Sequence, residues 1–210
     1  MSGRAAIANR VAIPNVQNLL LQSQTLDSAS WGKSNASVSA NTTTAPDGTL
    51  TADSLIEDAT PAVSHSISQT GSGTMGGGFI RNTLSLFAQA NTRIWLLLLG
   101  NAGNSIVWVN VSTNAIGTIS SNCTCICEAA SLWIAGAAAD WKRIYFTFPF
   151  VTSFNSVIRL STGDGVSSYN GDGTSGMYLW GIQLTQSNWP GNYALTVGST
   201  VDTGPIRSKP

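Results

Sequence analysis

Charge is what this sequence has least of. Acidic and basic residues together make up 10% of the 210 residues, and the ten of each sign cancel. Ordinary domains carry about 25%. With no net positive charge, a nucleic-acid binder is excluded as a class. There is one histidine, so a His-based triad or zinc site would have to use His65. Neither G-x-S-x-G nor H-E-x-x-H occurs. Long apolar runs are missing too. "IWLLLLG" at Ile94–Gly100 is far short of the roughly 20 residues that span a bilayer, and no signal-peptide run opens the chain. Three cysteines, all in "CTCIC", give no disulfide framework. No segment shows a helical period; "LDSASW" at Leu26–Trp31 is at most one short turn.

What is present is strand chemistry. Runs rich in Val, Ile, Trp, Tyr, Phe and Thr alternate with turn signals such as "APDGT", "STGDG" and "YNGDGTSG". They predict strands near Ser37–Asn41, Ser64–Thr70, Arg81–Gln89, Arg93–Leu99, Ser105–Val111 and Ala115–Ser120. Further strands are expected at Cys123–Ala129, Leu132–Ala135, Trp141–Phe150, Asn155–Leu160 and Gly176–Gln183. Many short strands with regular turns define an all-β fold: a jelly-roll β-sandwich of two antiparallel sheets over 18–200. Residues 1–17, with Arg4 and Arg10, read as a basic N-terminal arm. Residues 201–210 read as a tail. The body between them carries nine acids and six bases, a net of −3.

Several strands are apolar on both faces. In Trp141–Phe150, Ile144, Phe146, Phe148 and Phe150 share one face, and Tyr145, Thr147 and Pro149 the other. In Tyr178–Leu184, alternation groups Tyr178, Trp180, Ile182 and Leu184 against Leu179, Gly181 and Gln183. One face meets the core; the second needs cover from a loop, an arm, a partner or a ligand.

Candidate site residues are few. His65 reads first as a strand residue. Cys123, Cys125 and Cys127 project from one strand face as small buried thiols, short of the four ligands zinc needs. Asp164 and Asp172, with Asn170 between, fit three chemistries: backbone turns, calcium ligation or a glycosidase carboxylate pair, in that order of preference. Among seven tryptophans, Trp180 belongs in the core. Trp31 and Trp189 lie near turns and are the expected sugar platforms, with Asn170 and Asp172 as hydroxyl partners.

These features resemble a known family. "NLLLQSQTLDSASWGK", "APDGTLTADSL", "HSISQ", "WKRIYFTF" and "SYNGDGTSGMYLWGIQL" are similar to the motifs of jelly-roll, carbohydrate-binding-module-like domains in tail and virion proteins of tailed bacteriophages. The resemblance runs from about Asn18 to Val201. Thr185 stands where that family often has an acid, which removes a ligand from any calcium site that used it. The resemblance implies a non-enzymatic virion structural protein, displayed on the particle surface as a capsid decoration or short fibre. It implies docking on capsid or tail proteins through the arm, a homotrimer, and host-surface glycan as a further ligand. A tail-fibre adhesin that recognises host polysaccharide is the alternative. No membrane, nucleic acid or cofactor beyond a structural calcium is expected.

Overall fold

The computed structural model describes residues 15–72, 81–100, 104–149 and 153–205. Its strands in chain order are β1 (Asn15–Asn18), β2 (Gly32–Ser34), β3 (Ala36–Thr43), β4 (Ala52–Glu57), β5 (Ser66–Ser72), β6 (Arg81–Gln89) and β7 (Trp95–Gly100). They continue with β8 (Ser105–Asn110), β9 (Ala115–Ile119), β10 (Thr124–Ala129), β11 (Trp141–Pro149), β12 (Ser153–Ser161), β13 (Gly176–Thr185) and β14 (Val201–Pro205). Two six-stranded antiparallel sheets form the sandwich, as the sequence predicts. One has the order β10-β11-β6-β13-β4-β3, the other β2-β5-β12-β7-β8-β9.

The core lies between them. Leu84 and Leu86 of β6, Ile144, Phe146 and Phe148 of β11, and Leu179 and Leu184 of β13 come from the first sheet. Ile67, Leu96, Leu98, Val107, Val109, Ile158 and Leu160 meet them from the second. Cys123, Cys125 and Cys127, expected as buried thiols, pack against this core but are only partly buried. Burial pushes the Cys127 thiol up to about 12 and the Cys125 thiol higher still, so neither is a thiolate at neutral pH.

Four expectations change. Leu132–Ala135 is not a strand; a single 3-10 turn, Ala130–Leu132, leads into a loop. The strand β4, "ADSLIE", carries two acids and was not expected, yet it lies inside the first sheet. The boundary drawn at 17/18 cuts β1, and the expected tail begins with a strand, β14, that pairs with β1 as a two-stranded ribbon. Arg4, Arg10, Arg207, Lys209 and Phe150 lie outside the described residues.

The fourth change concerns β13. Its register against β6 shifts between Trp180 and Gln183, where Gly181 takes φ +60°. This bulge inserts one extra residue and reverses the alternation. Leu179 and Leu184 both face the core, Ile182 joins them, and Trp180 and Tyr178 face outward. Tyr178, Trp180, Ile182 and Leu184 therefore do not share one face. Glycine is required here twice over: for the positive φ, and because a Cβ would stand 3.1 Å from Phe87 Cδ2 and 3.3 Å from Tyr193 Cε2. Gly181→Ala is expected to lower the unfolding free energy by about 1–2 kcal/mol in urea titrations.

Candidate functional site

The outward face of the first sheet holds a cleft of about 460 Å³. This lies within the ordinary range for small-ligand sites, roughly 300–1,000 Å³. Its floor is a row of side chains at matching registers. Arg143 of β11 stands opposite Glu128 of β10 on one side and Phe87 of β6 on the other; Phe87 in turn stands opposite Trp180 of β13. Directly opposed residues point to one face, so the row is continuous.

Two aromatic groups flank the cleft. Phe87, Trp180 and Tyr193 form the first, with ring centroids 4.6 Å apart for Trp180–Tyr193 and 5.4 Å for Phe87–Trp180. Trp133, Tyr145 and Trp189 form the second, at 5.0 to 6.0 Å. The Arg143 guanidinium lies between them, 3.9 Å from the Trp133 ring centroid and 5.2 Å from Phe87. Asn192, Gln24 and Asp47 supply polar groups around the lining.

The walls are held by the sheet. Gln183, turned outward beyond the bulge, accepts from Ala194 N at 2.9 Å and donates to the carbonyls of Pro190 and Asn192. Arg143 Nη2 donates to Gly191 O at 3.0 Å. Tyr193 Oη and Ser23 Oγ bond at 2.8 Å. Opposite, Trp133 Nε1 donates to Glu128 Oε1 at 2.6 Å, which fixes the indole beside the guanidinium. Burial pulls Arg143 down to about 9, still well above neutrality, so it remains a cation.

The residues singled out from sequence fall elsewhere. Trp31 is 1% exposed, and its Nε1 donates to Gln22 O at 2.7 Å; it is core rather than a platform. Its turn flanks suggested exposure, but the turn folds the indole inward. Trp189 is half-buried and stacks on Trp133 and Tyr145 behind the cleft wall. Asn170 Oδ1 accepts from Ala62 N at 2.8 Å, on a different loop. Asp172 accepts from Thr174 and Ser175, backbone and hydroxyl alike, and these bonds, from Ser175 first, hold it well below the usual carboxylate range. Asp164 accepts from Thr118 N and Oγ1 and ties its loop to β9. The bonds of Asp172 are local turn bonds, while those of Asp164 reach a strand 46 residues away. Among the described residues no three His, Cys, Asp or Glu side chains gather as a metal set.

Asp172 and His65 belong to a different cluster, built around Glu57. The Glu57 side chain is 0% exposed, yet it accepts from Arg93 Nε at 2.7 Å, Tyr169 Oη at 2.6 Å and Asp172 N at 2.9 Å. Burial pushes its carboxyl up, but the bonds from Arg93, Tyr169 and Asp172 N outweigh that and leave it below its ordinary 4.5. His65, fully buried just before β5, packs on Tyr169 at 4.8 Å and donates from Nδ1 to Asn35 O. With every Glu57 contact made by the protein itself, this cluster fastens the 162–175 loop to β4.

The cleft residues Phe87, Trp133, Arg143, Asn192 and Tyr193 were not singled out from sequence, and Trp180, expected in the core, is buried on the outward face instead. The available signal was the second apolar face of β11 and β13, which does need cover.

No family model and no curated protein matches the sequence. Seven solved chains match. One is an arabinose-bound GH51 α-L-arabinofuranosidase, at 14% identity and TM-score 0.41, over 83% of this chain and 26% of that one. The chain thus spans about a quarter of that enzyme's length. Among the described residues no helix is long and apolar enough to cross a membrane.

Glu57 gives a pH prediction. A carboxyl held below its ordinary value adds stability above 4.5, and that stability is lost as pH falls through the lowered value. Asp53, raised by burial, has the opposite sign. Glu57→Gln is therefore expected to cost about 2–3 kcal/mol at pH 7. In urea melts from pH 7 to pH 3, the difference from wild type should shrink with acidification.

Proposed function

We propose that this chain is a non-enzymatic, lectin-like structural module displayed on the surface of a bacteriophage particle, with its outer-sheet cleft as a glycan site. The observation that carries the glycan reading is the cleft floor and walls. Flat aromatic faces stack on sugar C–H groups, while Asn192, Gln24 and Asp47 offer donors and acceptors for hydroxyls. The virion reading is supported by the motifs from "NLLLQSQ" to "GDGTSGMYLWGIQL", which resemble virion jelly-roll domains. A homotrimer docked through the basic arm belongs to the same reading. The tail-fibre adhesin is the second reading, and the aromatic cleft favours it wherever the chain caps the tail.

Catalysis is disfavoured by the cleft's own chemistry. Glycoside hydrolysis ordinarily needs two carboxyl groups across the bond. Two acids stand at the cleft and both are engaged: the Asp47 carboxylate accepts from Thr49 N and Oγ1, and Glu128, at the end of the floor row, accepts from Trp133 Nε1.

Two variants test the site. Trp133→Ala and Tyr193→Ala should each weaken binding on a glycan array by about tenfold or more, since each removes a stacking face. Their circular dichroism should stay that of the wild type. An array with no bound glycan, or binding indifferent to both changes, overturns the glycan reading. Turnover of a bound polysaccharide overturns the non-enzyme reading. A structure of the intact particle separates capsid decoration from tail adhesin.

A further inference from the structure

We propose that the cleft selects anionic glycans, those bearing a carboxylate or sulfate, through Arg143. The inference rests on reading the cleft as a glycan site. Arg143 lines the cleft at 1% exposure, and its Nε–H has no hydrogen-bond partner. Buried donors are almost always paired. A charged donor is the costliest kind to leave unpaired, because burial removes its hydration.

Further contacts fix the guanidinium around that donor. Nη2 is committed to Gly191 O. The faces are occupied by Trp133 and Phe87. The aromatic packing and the Gly191 bond hold the planar group in one orientation, so Nε–H is a fixed donor. Glu128 and Tyr145 support the positive charge from the side of β10, where the Glu128 carboxylate is fastened to Trp133 Nε1. Asp47, on the lining, is engaged with Thr49. A ligand oxygen carrying negative charge would complete Arg143 with a charge-assisted bond inside a low-dielectric pocket, where such bonds are strongest. A neutral hydroxyl would make a weaker one. This cleft therefore combines sugar stacking with one charge test.

An array of uronic-acid, sulfated and neutral glycans, followed by calorimetry with trigalacturonate and its methyl ester, tests the inference. The acid is expected to bind about tenfold or more tightly than the ester, which differs only by charge and a methyl group. Preference for uronates alone assigns a carboxylate to Nε; preference for sulfated glycans as well assigns any anionic oxygen, and both support the inference. Arg143→Gln should bring acid and ester to equal affinity. Because Arg143 is buried, Asn192→Asp at the exposed rim gives a second variant: it should weaken the acid several-fold more than it weakens the ester. Equal binding of acid and ester by the wild type overturns the charge selection while the glycan site stands. Failure of every glycan on the array overturns both.

Discussion

The bulge at Gly181 governs the architecture on both faces of the first sheet. β13 is a central strand, so each side chain it carries must be buried in one layer or the other. With unbroken alternation, Trp180 would share a side with Ile182 and Leu184 and compete for the inter-sheet core. The extra residue resolves the conflict: Leu179, Ile182 and Leu184 enter the core, while Trp180 joins Phe87 outside. Gln183 then points outward as well and fastens the 190–194 segment. One backbone irregularity thus supplies both the floor of the cleft and the anchor for its wall.

Two acids on β4 perform a second task, loop fixation. Asp53 is 1% exposed and accepts from Leu26 N at 2.8 Å and Asn41 N at 2.9 Å. Glu57 receives Arg93, Tyr169 and Asp172 N. Burying a carboxylate is costly unless several donors replace its water, and here each acid gathers donors from distant stretches of chain. The motifs "TADSL" and "GDGTSG" are therefore folding devices. They fasten the sandwich, while the aromatic cleft lies on the outward face of the first sheet. The resemblance is strongest where the chain fastens itself.

Legibility in the sequence followed the same division. β6 and β11 were readable because strict alternation places Leu84, Leu86, Ile144, Phe146 and Phe148 on one face, and that face is the core. β4 was not readable, because Asp53, Ser54 and Glu57 look like loop chemistry until their long-range donors are known. Trp31 illustrates the limit of local reasoning: flanking turn residues say where the chain bends and nothing of which way the indole swings. The bulge left a trace in Trp180-Gly181-Ile182, but a glycine in a strand signals only that something irregular occurs. The cleft was visible as a surplus apolar face. Its composition was not, since Tyr193, Asn192 and Trp133 arrive from loops whose path depends on tertiary bonds.

The scarcity of charge bears on how such a cleft would work. With ten charges of each sign and a body of −3, little long-range attraction draws a ligand in. Affinity must come from contact: stacking on the aromatic faces, displacement of water, and the bond to Arg143. A small open site working by contact alone binds modestly, because association costs several kcal/mol of lost freedom before any gain appears. Repetition answers this constraint. On the proposed reading, copies displayed together on one particle would convert a modest site into a strong one, by factors of roughly 10²–10⁴ when the spacing allows simultaneous engagement. A neutral, hydroxyl-rich surface also lets copies stand close without mutual repulsion. On the proposed reading, the low charge is thus the property that would make dense display of this domain physically workable.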